Sequence, residues 1–128
     1  MASSDEADEV LARAVVLDAN ALLMPFQFKL NLDLELRRLF GDVPVYVPGS
    51  VLGELSNARD KHAKAALALA RKYQVVDTRS QGDDAIVELA VEKSAAVVTN
   101  DKELIGRLRE AGIQVGRLRS MRHLETRA

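Results

Sequence analysis

The chain has 128 residues and a net charge of −1, which suits one domain and excludes a uniformly basic nucleic-acid binder. It has no cysteine, which excludes disulfides, cysteine-ligated zinc and thiol catalysis and fits a reducing cytoplasm. No apolar run approaches the roughly 20 residues of a membrane helix, and the acidic start is unlike a signal peptide, so we expect a cytoplasmic location and no membrane contact.

The first predicted element is a short buried strand over residues 14–17, which are all apolar and rich in valine. Residues 21–28 are apolar but interrupted by Pro25, so they predict a short helix or a turn. The next helix is predicted over 32–40, because an asparagine precedes it as an N-cap and Gly41 follows it.

Strands and helices alternate along the rest of the chain. The predicted strands are 43–47, 75–76, 95–98 and one opening at 113–115, and the predicted helices follow Pro48 and cover 63–73, 83–93 and 102–111. This alternation predicts an α/β fold with a central parallel sheet of four to five strands. We expect a lead-in at 1–12, one domain at 13–118 and a basic tail at 119–128.

Acidic residues occur where the predicted strands end. They are Asp18, Glu54, Asp83 with its neighbour Asp84, and Asp101. Because ligands bind beyond the carboxyl ends of parallel strands, we expect these carboxylates to meet at one edge of the sheet. Mg²⁺ and Mn²⁺ prefer hard oxygen ligands, and a nuclease uses such ions to activate water and stabilise the leaving oxygen.

Each acid alone also has an ordinary structural explanation. Asp83 and Asp101 could be helix caps or first-turn anions, and Glu54 could be a surface residue. Asp18 is harder to explain in this way, since an acid rarely follows a buried strand directly. We therefore base the predicted metal site on the whole set of acids.

Four segments of the sequence each contain an acid with apolar residues near it. They are Val15–Asn20 (VVLDAN), Val51–Leu55 (VLGEL), Asp83 with Ile86 and Ala90 three and seven residues later, and Val97–Leu104 (VVTNDKEL). In this order the segments resemble the motifs of PIN-domain endoribonucleases, and the resemblance runs from Val15 to Leu118. The stretch from Asn20 to Leu32 looks most like archaeal relatives of the rRNA-processing branch.

This resemblance implies a three-layer α/β/α domain whose acids bind Mg²⁺ or Mn²⁺ and cleave single-stranded RNA. The residues it implies as catalytic and as metal ligands are Asp18, Glu54, Asp83 and Asp101. Asp84 stays open as an alternative ligand to Asp83. Asn20 and Thr99 carry over as supporting residues that hydrogen-bond the carboxylates or metal-bound water.

The cations are concentrated near the end of the chain. Residues 102–128 carry seven cations and three anions, a local charge of +4. Lys102, which follows an acid of the predicted site, and the later Arg117 and Arg119 are candidate contacts to RNA phosphates. The alternative is that they are ordinary solvated charges.

Several functional alternatives remain open at this point. The chain could be an rRNA-processing endoribonuclease, a VapC-type toxin ribonuclease with an antitoxin partner, or a non-catalytic PIN module that holds RNA or a partner in ribosome assembly. The intact set of acids argues against the non-catalytic module, because a site that no longer catalyses a reaction tends to lose charges that repel one another. A homodimer and the choice between Mg²⁺ and Mn²⁺ also stay open.

Overall fold

The computed structural model describes residues 12–120 and 122–126, so nearly all of the lead-in expected at 1–12 lies outside the described residues. Its strands are β1 (Ala14–Leu17), β2 (Val45–Pro48), β3 (Gln74–Val76), β4 (Ala95–Val98), β5 (Val115–Ser120) and β6 (His123–Glu125). Its helices are α1 (Ala19–Gln27), α2 (Leu32–Phe40), α3 (Gly49–Asn57), α4 (Ala63–Ala70), α5 (Gly82–Lys93) and α6 (Lys102–Glu110).

The six strands form one sheet in the order β3-β2-β1-β4-β5-β6. The first five strands are parallel, and β6 pairs antiparallel with β5. The predicted α/β class with a central parallel sheet is thus confirmed, with an antiparallel sixth strand added at one edge. That strand falls within the segment 119–128 that we expected to be a tail.

The helices cover both faces of the sheet. The chain moves outward from β1 to β3 and then returns, through α5, to β4 on the other side of β1. Because crossovers between parallel strands are right-handed, this reversal puts α5 and α6 on the face opposite to α1–α4. The point of reversal, between β1 and β4, is where open α/β sheets bind ligands.

Two neighbouring strands form the centre of the hydrophobic core. Every residue of β1 and β4 is buried, and Leu17 lies in register with Val98. Their continuous apolar sequences are typical of parallel strands that are covered on both faces. The ends of these two strands are therefore fixed relative to each other.

Helix α2 begins and ends as its sequence predicts. The side chain of Asn31 accepts a hydrogen bond from Leu34 N at 3.1 Å, and Gly41 ends the helix with a φ of 80°. The last residue, Phe40, packs against β5 at Gly116. A Cβ at Gly116 would lie 3.1 Å from Phe40 Cζ, so a glycine there allows this close approach.

Some predicted boundaries were wrong. Helix α1 includes Pro25 near its end, where the missing N–H leaves only the Ala21 carbonyl without its usual donor. Helix α4 ends at Ala70, whereas we predicted it to continue to Tyr73. The carbonyl of Ala70 accepts a hydrogen bond from Tyr73 N in the turn that follows. Strand β5 begins at Val115.

None of the helices in the described part of the chain is long and apolar enough to span a membrane.

Candidate active site

Asp18 lies at the end of β1, in the middle of the sheet, and is only 8% exposed. One carboxylate oxygen accepts a hydrogen bond from Ala21 N at 2.8 Å, so Asp18 also caps α1. The other oxygen accepts a hydrogen bond from Thr99 Oγ1 at 2.5 Å. Burial is the main reason that the pKa of Asp18 rises from its usual 3.8 to about 7, and the charges of Glu54 and Asp101 also raise it.

Thr99 connects Asp18 to the turn that follows β4. Its side chain is fully buried, and its Oγ1 accepts a hydrogen bond from Asp101 N at 3.0 Å while donating to Asp18. One hydroxyl therefore orients the carboxylate of Asp18 and fixes the backbone of Asp101. Thr99 thus contacts a carboxylate of the predicted site, and its supporting role in catalysis stays a prediction.

Asn20 and Asn100 hold the same turn from two sides. Asn20 Oδ1 accepts a hydrogen bond from Asn100 N at 3.1 Å, and Asn100 Oδ1 accepts one from Leu118 N at 2.8 Å. Asn20 thus binds the backbone of the turn rather than a carboxylate. Asn100 belongs to the fourth segment of the resemblance, but its spacing did not predict that its side chain joins this turn to β5.

Three further acids lie near Asp18 or near one another, and their charges shift one another's pKa values. They are Glu54, Asp83 and Asp101. Desolvation raises the pKa of Glu54, and the charge of Asp83 raises it further. Desolvation also raises the pKa of Asp83, followed by the charge of Asp101. We call these four residues the acid edge, because they share one electrostatic field at the carboxyl end of the sheet.

The loop before α5 is held by Glu88 from within that helix. Its carboxylate accepts hydrogen bonds from Arg79 N at 2.9 Å, from Ser80 N at 3.0 Å and from Ser80 Oγ at 2.9 Å. These bonds fix the entry into α5, whose first turn carries Asp83. Glu88 was not identified from the sequence.

The donor chemistry of the acid edge fits a hard divalent cation, since it offers carboxylate oxygens from four segments. Asp101 Oδ1 caps α6 by accepting from Glu103 N and Leu104 N, which leaves its second oxygen available. Each oxygen of Asp18 accepts one hydrogen bond and keeps a further lone pair. Within residues 12–120 and 122–126, however, no three acidic, His or Cys side chains converge closely enough to hold an ion as they stand.

Asp84 and Asp83 face different surroundings although they are adjacent. Asp84 Oδ1 lies 2.7 Å from Arg107 Nη2 of α6 in an exposed ion pair. Asp83 is partly buried and lies within the field of Asp101 and Glu103. Sequence reasoning identified neither Arg107 nor Glu103 as a neighbour of these acids, because their proximity depends on how α5 and α6 pack together.

The three cations expected to contact RNA lie in different settings. Lys102 is exposed at the first position of α6, next to Asp101. Arg117 is partly buried on β5, and Arg119 Nε lies 3.8 Å from Glu125 Oε2 of β6. A cavity of about 660 Å³ lies between α1, α2 and the end of α4, away from the acid edge.

Comparison with known proteins gives concordant results. The PIN like domain family matches residues 15–121. Ribonuclease VapC9 of Archaeoglobus fulgidus is 34% identical over 114 residues, or 84% of each chain, and Ribonuclease VapC4 of Methanocaldococcus jannaschii is 33% identical over 123 residues, or 87% of this chain and 94% of the relative. The solved structure of the PIN domain endonuclease Utp24 matches with a TM-score of 0.75 at 25% identity, covering 90% of this chain and 92% of that chain.

The family match spans all four segments that carry the resemblance seen in the sequence. The two relatives are archaeal and named as ribonucleases, and the structural neighbour is named as a PIN domain endonuclease. These findings confirm the predicted membership of the PIN-domain family and the predicted similarity to archaeal relatives. The chain therefore belongs to the PIN-domain family.

Proposed function

We propose that this protein is a metal-dependent endoribonuclease that cleaves single-stranded RNA at the acid edge. The observation that carries the proposal is the environment of Asp18: a buried carboxylate with a pKa of about 7, surrounded by further acids. Such an arrangement lowers the stability of the fold unless a cation occupies the edge. Acids with strongly perturbed pKa values cluster at functional sites. The ribonuclease names of the relatives support the same activity.

PIN nucleases generally use divalent metal ions. We propose Asp18, Glu54, Asp83 and Asp101 as the residues that hold Mg²⁺ or Mn²⁺. When bound, such an ion stabilises the negative charge that develops on a phosphodiester during hydrolysis. We prefer Asp83 to Asp84 as a ligand, because the carboxylate of Asp84 is engaged by Arg107.

The remaining residues of the site orient these acids. Thr99 donates to Asp18 and accepts from the backbone of Asp101, so it holds two of the proposed ligands at a fixed separation. Asn20 holds the backbone between Thr99 and Asp101 through Asn100 N. Lys102, Arg117 and Arg119 stay proposed contacts to RNA phosphates.

The proposal is tested by cleavage of a labelled single-stranded RNA with Mn²⁺, with Mg²⁺ and with EDTA. We expect the wild type to cut with either or both metals and to be inactive in EDTA. Asp18→Asn should lower the rate by at least about a hundredfold, because it removes the central ligand charge. The matched control is Asp42→Asn, which makes the same chemical change at an exposed residue after α2.

The results separate the enzyme from a non-catalytic PIN module. Metal-dependent cleavage that survives in Asp42→Asn and is lost in Asp18→Asn supports the assignment. Full activity in Asp18→Asn would show that the site lies elsewhere. Absence of cleavage by the wild type, together with retained binding of uncut RNA, would favour the module that holds RNA or a partner.

The names of the two relatives favour a VapC-type toxin ribonuclease, with an antitoxin as its partner, over rRNA processing. The rRNA-processing role rests on the stretch from Asn20 to Leu32. Induced expression in a bacterial host distinguishes them: a toxin should arrest growth in the wild type and not in Asp18→Asn. Accumulation of uncut rRNA precursors in cells that lack the protein would instead support processing. A homodimer and a cytoplasmic location stay predictions.

A further inference from the structure

Arg107 and Asp84 form an ion pair beside the acid edge. The Nη2–Oδ1 distance is 2.7 Å, and the two side chains are 47% and 68% exposed. Exposed ion pairs add little to stability, because water screens the attraction and two long side chains lose freedom. Folding therefore does not explain why a guanidinium is held at this position.

Arg107 reaches from α6 to the first turn of α5, where it contacts Asp84, the residue directly after Asp83. Glu103 lies one turn earlier on α6. Arg107 thus brings positive charge to an edge that otherwise repels a polyanion.

A guanidinium that binds a carboxylate can bind a phosphate with the same geometry. Its planar fork of N–H donors matches the paired oxygens of either group. Because Arg107 and Asp84 are both exposed, an RNA strand that lies along the acid edge can reach the guanidinium and displace the carboxylate. The displaced carboxylate stays hydrated, so the exchange costs little.

We propose that Arg107 binds a phosphate of the RNA strand next to the acid edge, and that Asp84 is the counter-ion that it releases when RNA binds. This inference rests on the proposed function, since it takes RNA as the substrate of the same site. It assigns Arg107 a role in substrate binding and assigns Asp84 a role other than metal ligation.

The test is equilibrium binding of a fluorescently labelled oligouridylate in EDTA, where no cleavage occurs, over a range of salt concentrations. Arg107→Gln should weaken binding by about tenfold, because it removes a charged hydrogen bond. The slope of log K against log salt should fall by about 0.7, the value for one phosphate contact on a single strand. Asp84→Asn should strengthen binding by about threefold, because the competing counter-ion is gone.

Arg109→Gln is the matched control. It makes the same change two residues later on α6, at an exposed residue that faces a cavity lined by Ala12, Ala95 and Gln114. It should leave both the affinity and the salt slope unchanged. Arg107→Lys keeps the charge but not the fork, and should recover part of the affinity and the whole slope.

The opposite signs expected for Arg107→Gln and Asp84→Asn distinguish a phosphate contact from a structural ion pair. If the pair only holds α5 against α6, breaking it from either side should weaken binding equally, and that result would overturn the inference. Equal losses in Arg107→Gln and Arg109→Gln would also overturn it. So would loss of metal-dependent cleavage in Asp84→Asn with unchanged binding in EDTA, because Asp84 would then be a metal ligand.

Binding and cleavage are read separately, so the two proposals can fail separately. RNA binding that depends on Arg107, in a protein that cuts no RNA with either metal, would support the contact and contradict the nuclease. Metal-dependent cleavage by a protein whose RNA binding does not depend on Arg107 would support the nuclease and contradict the phosphate contact.

Discussion

Asp18 and Glu35 are two carboxylates with nearly the same burial and opposite surroundings. Asp18 is 8% exposed and Glu35 is 4% exposed. The pKa of Asp18 is raised to about 7, chiefly by burial, whereas the pKa of Glu35 is lowered, chiefly by its hydrogen bonds with Arg38. Glu35 has a charged hydrogen-bond partner, whereas the hydrogen-bond partners of Asp18 are uncharged.

The chain compensates the charge of Glu35 with its own residues. Arg38 donates to both carboxylate oxygens, from Nη2 at 2.8 Å and from Nε at 3.0 Å, and Leu124 N donates at 2.8 Å. Arg38 Nη2 also donates to Leu124 O at 2.7 Å, so the cluster ties β6 to α2. His123 Nδ1 lies 3.5 Å from the same carboxylate.

Within the part of the chain that the structure describes, the charge of Asp18 has no comparable compensation. Its hydrogen-bond partners are a hydroxyl and a backbone amide, and the charges that act on it come from Glu54 and Asp101, which are acids too. Glu35 thus stabilises the fold, whereas an ionised Asp18 lowers the stability of the metal-free protein, and we expect a bound cation to offset this loss. The charges around each acid thus distinguish Glu35, which has a structural role, from Asp18, which we propose as a metal ligand.

The largest expected effect on stability is that of Glu35→Ala. It leaves Leu124 N without its acceptor and removes the partner of Arg38, which is half exposed, so the free energy of unfolding should fall by about 3 kcal/mol. Chemical denaturation measures this change. Glu110→Ala, an exposed acid at the end of α6, is the control and should have almost no effect.

Metal-dependent cleavage by Glu35→Ala should persist at temperatures where the variant is folded. A loss of cleavage without a loss of stability would show that the cluster of Glu35 belongs to the active site, and the comparison would no longer hold.

Asp18→Asn should have the opposite effect on the metal-free protein. Removing a buried charge that neighbouring acids repel should raise the free energy of unfolding at neutral pH by roughly 1–2 kcal/mol. The same variant should lose cleavage, so stability and activity should change in opposite directions. A metal-free Asp18→Asn protein that is less stable than the wild type would contradict this account of Asp18.

The two acids should also differ in how stability depends on pH. Folding raises the pKa of Asp18, so between 3.8 and about 7 the folded chain holds more protons than the unfolded chain, and metal-free stability should fall as pH rises through this window. The raised pKa values of Glu54 and Asp83 act in the same direction. The stability from Glu35 is present above its usual pKa and is lost as pH falls through its lowered value.

Thermal unfolding in EDTA across this pH range, for the wild type and Asp18→Asn, measures the difference. The wild type should lose more stability than the variant as pH rises, and added Mn²⁺ should reduce the gap by binding the ionised acids. Parallel pH profiles would show that Asp18 does not carry the predicted shift.

The smallest expected effect is that of Thr99→Val. The hydroxyl of Thr99 lowers the pKa of Asp18 and accepts from Asp101 N, so its removal should reduce kcat/KM for RNA by about tenfold and raise the metal concentration needed for half activity. Thr99→Ser keeps the hydroxyl and should retain most of the activity. Equal activity of the valine and serine variants would exclude a role for this hydrogen bond.

Much of the fold could be predicted from local patterns. The apolar strands β1 and β4 and the caps of α2 at Asn31 and Gly41 are encoded by residues next to one another in the sequence. Strand β6 was missed because it has only three residues and is held by Glu35 and Arg38, whose contacts join distant segments. A pattern of charges three residues apart on a helix gives no sign of such a partner.

The acids of the candidate site were also visible in the sequence, because parallel strands bring their carboxyl ends to one edge. The roles of the residues around them were not. The pairing of Asp84 with Arg107, and the bond from Leu118 N to Asn100, depend on side-chain directions that spacing does not specify.

The order of the strands also has a consequence for synthesis. Asp18 and Thr99 are 81 residues apart, and they meet only because β4 inserts beside β1. A chain emerging from the ribosome exposes β1 long before β4 has been made, so the carboxylate and its hydroxyl partner cannot yet be joined. The acid edge is therefore assembled only after β4 has left the ribosome, and we expect a nascent chain that still lacks β4 to have no complete metal site.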